Sequence, residues 1–130
     1  LSDFLKSNVN YFAVLAYLDR GSDNEISKIR KLIAAKSKTA TTFGWGPRYL
    51  HSTGQFHKGG QQNGAFIQIT GESKDDIKIP GENYSFSQLI MAQALGDAAA
   101  LSERNLPLIR IHLKNRKEGI AKLLAEIKKN

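Results

Sequence analysis

The sequence contains no cysteine. Disulfide scaffolds, thiolate metal sites and cysteine nucleophiles are thereby excluded, and a chain without disulfides fits a reducing compartment. No apolar run approaches the ~20 residues that a membrane-spanning helix needs. No signal-like stretch opens the chain. These absences are read as a cytoplasmic protein without a membrane partner. Aromatic residues are few, at 8%, and do not interleave with the basic residues near the C-terminus. A stacking platform for single-stranded nucleic acid is therefore not expected. An initiator methionine is also missing: the chain opens Leu1-Ser2-Asp3, which reads as a piece of a longer polypeptide.

What is present describes one domain. A chain of 130 residues with 41% apolar content can bury one core and is too short for two. We find neither repeats nor an internal boundary, so residues 1–130 are taken as a single unit. The net charge is +7. A solvated basic surface accounts for that, and so does an anionic partner such as a phosphorylated substrate.

Apolar patterning predicts alternating strands and helices. Residues 9–18 form a continuous apolar run, rich in aromatic and branched side chains, that reads as a strand buried on both faces. Asp23 is placed to cap a helix reaching Lys36. Residues 39–43 read as a short strand, and Gly44-Trp45-Gly46 as a turn. Pro47 suits the first position of a new helix. Residues 65–70 alternate as a third strand, followed by a polar loop over 71–83. Ser85 is placed to cap a long helix reaching Arg104. Residues 106–113 form a fourth strand and 118–129 a closing amphipathic helix. This alternation predicts right-handed crossovers, a mainly parallel sheet of about four strands, and helices on both faces: a three-layer α/β/α sandwich. In such sheets ligands bind at the carboxyl ends of the strands. The loops at 44–48 and 71–83 are the ones to watch.

The segment from Gly44 to Gly60 carries the densest chemistry. A helix running on from Pro47 places Arg48, His51, Gln55 and Lys58 on one stripe, with Tyr49, Thr53 and Phe56 on a second stripe facing the core. The helix N-terminus and Arg48 favour phosphate. An imidazole can give or take a proton, which makes His51 the candidate acid–base group. Many surface helices carry a polar stripe with no such role. His112 lies in an apolar strand and reads as a satisfied core histidine. No metal site is expected, because His51 and His57 are six residues apart, which is not a ligand spacing on a helix. A dinucleotide fingerprint also fails, since Tyr49 stands where its third glycine belongs.

The strings GPRYLHSTGQFHKGG, NGAFIQIT, IPG, AQALGD and LIRIHL, in this order, closely resemble the C-terminal end of phosphoglucose isomerases, and most nearly the form fused behind a transaldolase. The resemblance runs from about Phe43 to Leu113. It implies a sugar-isomerase fold and interconversion of glucose 6-phosphate and fructose 6-phosphate without metal or organic cofactor. It further implies that His51, four residues before Gln55, assists ring opening. Arg48, Ser52, Gln55 and Lys58 are implied as substrate-binding residues. The implied partners are a sugar phosphate, the preceding isomerase domain, a transaldolase domain in the fused form, and a second subunit. The glutamate that shuttles a proton between C1 and C2 would precede Leu1. The family's late lysine has no match, because Leu95 stands seven residues after Gln88. A non-catalytic sugar-phosphate-binding module is the alternative reading.

Overall fold

The computed structural model describes residues 1–129. Four strands, β1 (Tyr11–Tyr17), β2 (Ala40–Trp45), β3 (Gly64–Gly71) and β4 (Leu108–Leu113), form one sheet in the order β2-β1-β3-β4. All three pairings are parallel. Every residue of β1 is buried. This is the expectation for a central strand covered on both faces, and it explains an apolar run without polar alternation.

The two faces of β1 diverge by parity. Phe12, Val14 and Ala16 join Ala65, Ile67 and Ile69 of β3 on one side. That side is covered by α1 (Ile29–Ser37) and α4 (Arg116–Lys128), through Ile29, Ile33, Ile120 and Ile127. Tyr11, Ala13, Leu15 and Tyr17 point the other way and meet Phe66. That second side is covered by α3 (Phe86–Glu103) through Ala94 and Leu101. The result is the three-layer α/β/α sandwich expected from the sequence.

Gln68 and His57, two buried polar residues in these layers, are each paired. Gln68 is wholly buried on β3, where its amide nitrogen donates to the Ala94 carbonyl at 2.7 Å and its oxygen accepts from Arg110 Nε at 2.9 Å. One side chain thus ties β3 to both α3 and β4. His57 is also buried, stacked on Tyr11 and edge-on to Phe66, with Nδ1 3.2 Å from the Tyr11 hydroxyl. His112 differs from the expectation. It is exposed on the edge strand β4, and its Nδ1 meets the Thr70 hydroxyl at 2.9 Å. An edge strand leaves one of its faces partly open, so an apolar sequence around His112 does not bury it.

The helix ends follow the sequence in part. Ser85 caps α3 as expected, in a reciprocal box with Gln88. Asn115 caps α4, which places its start two residues earlier than the apolar pattern indicated. Asp23 does not cap. Its carboxylate instead accepts from the Asp19 amide at 2.9 Å and pairs with Arg116 at 3.0 Å. Residues 24–28 then form a 3-10 turn before α1 begins. The strong acceptor is claimed by a cation across the fold, a partner no local pattern reveals.

Two outcomes test this packing. Ser85→Ala should cost about 1 kcal/mol and Phe66→Ala about 3–5 kcal/mol, measured by urea unfolding. Burial also lowers the His57 pKa, opposed in part by the Asp97 charge. The fold therefore favours the neutral ring, and the unfolded chain takes up the proton first as pH falls. Stability should be full above the ordinary histidine value of about 6.5 and decline below it, until the folded value is passed. The urea midpoint should drop between about pH 8 and about pH 5.5, and drop less in His57→Phe. An equal drop in both proteins would show that His57 is not the group responsible.

Candidate functional site

The chemistry-bearing segment leaves the sheet at the carboxyl end of β2. Gly44 and Trp45 belong to that strand and are not a turn. The Gly46–Pro47 peptide is cis. Two glycines let the chain fold back onto the sheet: a Cβ at Gly46 would lie 2.6 Å from the Tyr17 ring, and one at Gly44 would lie 2.7 Å from Tyr49 Cβ.

The single helix expected from Pro47 onward does not form. Arg48–His51 is one 3-10 turn, Ser52 departs from helical geometry at φ −124° and ψ −75°, and a six-residue helix, α2 (Gly54–Gly59), follows. The break has a local cause. Ser52 Oγ donates to the Tyr49 carbonyl at 3.1 Å, and that carbonyl also accepts the Ser52 and Thr53 amides, each at 3.0 Å. Such side-chain bonds compete with helix propagation, and Thr53 and Gly54 are poor helix formers.

The expected stripe is therefore divided between two short pieces. Arg48 and His51 lie on the first, Gln55 and Lys58 on the second, and Ser52 at the break. Arg48, His51, Ser52 and Gln55 are exposed. Among the described residues, no side-chain hydrogen bond or ion pair engages Arg48, His51 or Gln55. The core-facing stripe is corrected too. Tyr49 is buried, but Thr53 is exposed and Phe56 is 56% exposed. His57 turns inward instead, because the break resets the helical phase.

Lys58 also turns inward. Its ammonium lies 2.6 Å from Asp97 Oδ1, with the lysine side chain 29% exposed and the aspartate 2% exposed. The Tyr49 hydroxyl donates to Asp97 Oδ2. With that proton committed, the Tyr17 hydroxyl is the donor in its 3.2 Å contact with Tyr49. Burial, reinforced by the bond to Asp97, holds the Tyr49 phenol far above its usual range. Burial likewise pushes Tyr17 up to about 12. Both phenols stay protonated at any ordinary pH and can act as fixed donors. Asp97, Tyr17 and Tyr49 are site residues that the sequence reading missed. One signal was available: Asp97 is the single charged residue between Phe86 and Ser102 of a long helix.

Tyr17 joins this network to a second feature. A cleft of about 550 Å³ opens at the carboxyl ends of β1 and β3, where Tyr17, Leu18, Thr70 and Gly71 form its floor. From β1 the chain steps outward to β2, then crosses back to β3. The cleft thus lies at the point where the strand order reverses, the usual ligand position in open α/β sheets. Ile77, Phe86 and Met91 line an apolar wall. Charged lining residues are four carboxylates, Asp19, Glu72, Asp75 and Asp76, against two guanidiniums, Arg20 and Arg116. Arg116 is already bound to Asp23 and to the carbonyls of Gly71 and Glu72. The cleft does not favour an anion. Of the segment from Gly44 to Gly60, only Gly46 lines it. Among the described residues, no group of three or more His, Asp or Glu side chains is arranged to hold a metal ion, and no helix is long and apolar enough to cross a membrane.

No protein-family model matches the chain, and no curated protein matches it significantly. Among solved structures, a hypothetical protein from Thermus thermophilus is similar with a TM-score of 0.81 at 16% sequence identity. The match covers 95% of this chain and 35% of that one, so the chain spans about a third of the length of that protein. At this identity the likeness shows a shared α/β architecture, and the fold alone.

Proposed function

We propose that this chain is part of a glucose-6-phosphate isomerase, within a bifunctional transaldolase/isomerase, and that His51 assists opening of the sugar ring. The observation that carries the reading is the state of the three histidines. His57 is buried against Tyr11 and His112 is bonded to Thr70, whereas His51 is exposed and unengaged at the carboxyl end of a parallel strand. A general acid–base group must be free to reach the proton it moves, and His51 meets that condition.

In this reading His51 transfers a proton to or from the ring oxygen. Gln55, exposed on α2, and Ser52, whose hydroxyl oxygen keeps acceptor capacity while it donates to Tyr49, orient substrate hydroxyls. Among the described residues, Arg48 is the free cation of the segment and the first choice for the phosphate. Lys58 offers an anion only the part of its ammonium that Asp97 leaves open. The acidic cleft at the strand ends would repel a phosphate. Most of the phosphate contacts and the glutamate that moves the proton between C1 and C2 therefore fall to a preceding domain of the same polypeptide, with a second subunit completing the site. The chain supplies its own residues to the reaction without a metal or organic cofactor.

A coupled isomerase assay on the full-length polypeptide tests this. His51→Ala should fold normally and lose about 10²–10⁴-fold in turnover. Full turnover in the variant would remove His51 from the mechanism. An inactive intact protein that still binds fructose 6-phosphate in preference to inorganic phosphate would favour a non-catalytic sugar-phosphate-binding module.

A further inference from the structure

The segment that bears His51 has little to hold it by itself. A four-residue 3-10 turn and a six-residue helix are far below the length at which helices persist in water. Ser52 departs from helical geometry, so no continuous helix joins the two pieces. Each piece nevertheless sends one side chain to the same carboxylate. Tyr49, two residues before His51, donates to Asp97 Oδ2. Lys58, near the end of α2, meets Asp97 Oδ1 at 2.6 Å. Asp97 lies on α3, is buried, and stands on the one face of that helix that packs on the sheet, beside Ala94, Ala98 and Leu101.

We propose that Asp97 is the positioning residue of the site: one buried carboxylate clamps both pieces flanking the break and thereby sets where His51 is presented. The inference rests on the isomerase reading above for its kinetic consequence and on geometry alone for the clamp. The two anchors are chemically distinct. The Tyr49 hydroxyl is a short, fixed donor on a ring already packed edge-on against Tyr17. The Lys58 ammonium supplies the counter-charge that a buried carboxylate requires. Neither Tyr17 nor Tyr49 can stand in for that charge, because both stay neutral. The partial exposure of Lys58 also means that the clamp can be probed from solvent.

The clamp also accounts for a feature of α3. A lone carboxylate in an otherwise uncharged stretch is costly to bury, and Gln68 already pins the same helix through the Ala94 carbonyl. Asp97 therefore adds little that α3 needs for its own docking. What it adds is one point of attachment common to both pieces of residues 48–58, beside the separate contacts of Tyr49 with Tyr17 and of His57 with Tyr11.

The test uses the full-length polypeptide with Asp97→Asn, which keeps the side-chain shape and an acceptor for Tyr49 but removes the charge from Lys58. Tyr49→Phe is the second variant, removing one hydroxyl and leaving the ion pair. Three readouts apply: acetylation of Lys58 by acetic anhydride, the His51 ring resonances by NMR, and isomerase kcat and KM. In Asp97→Asn, Lys58 should become more reactive, the His51 resonances should shift or broaden, and kcat should fall by up to ~100-fold, the order expected for a misplacement near 1 Å, with KM little changed. Tyr49→Phe should move His51 and kcat in the same direction while Lys58 stays protected. Asp97→Glu should recover part of the loss. Unchanged His51 resonances and kcat in a folded Asp97→Asn protein with Lys58 released would overturn the clamp and leave the isomerase reading intact. Should Asp97→Asn not fold, unchanged His51 resonances in Tyr49→Phe would overturn it equally. If the wild-type protein has no isomerase activity, that reading fails, and the His51 and Lys58 readouts still decide for or against the clamp.

Discussion

The fold depends on burying β1 from both sides. A parallel strand at the centre of a four-stranded sheet has no solvent-facing edge or face, so each of its residues must find an apolar or paired environment. Phe12, Val14 and Ala16 meet the layer built by α1 and α4, and Tyr11, Leu15 and Tyr17 meet the layer built by α3 and the chain after β2. The register with β2 and β3 places Val14 between Phe43 and Ile67. A one-residue slip would reverse both layers at once. The chain that returns from β2 is thereby obliged to lie across the second layer, over Tyr17.

That obligation produces the site. Two tyrosines on β1 carry hydroxyls into the layer beneath α3, and buried hydroxyls require partners. Tyr11 finds His57, and Tyr17 finds Tyr49. Tyr49 in turn finds Asp97, whose charge is matched by Lys58. The polar groups form two short chains, and both end on residues 49–58. What holds this segment to the domain is thus its service to buried hydroxyls and one buried carboxylate. Its outer side keeps Arg48, His51 and Gln55 free. Stability on the inner side and availability on the outer side come from the same short stretch.

Much of the scaffold was legible because it follows from periodicity. The β1 run, the alternation of β3, and the Ser85–Gln88 capping box each rest on residues within a few positions of one another, where sequence patterns act. A helix running on from Pro47 is the natural local reading, and it puts Arg48, His51, Gln55 and Lys58 at helical spacing. The spacing was correct and the helix was not, since Ser52 leaves helical geometry and turns both its amide and its hydroxyl to the Tyr49 carbonyl. Asp23 and Lys58 were misread for another reason. Each has a partner far along the chain, Arg116 and Asp97 respectively, and such pairs leave no local trace.

The sequence by itself determined the layer architecture, the parallel sheet and the choice of residues 48–58 as the chemically rich segment. Hydrophobic burial selects strands and helices through nearest-neighbour patterns, so these features are written locally. Only the tertiary structure decided which of those residues face inward. It turned Lys58 and His57 toward the core, left His51 and Arg48 outside, and recruited Tyr17 and Asp97, to which the sequence assigned no role. The physical reason is that charges and hydroxyls inside a fold pair across space. Their partners are set by the packing of whole layers, which a local pattern does not contain.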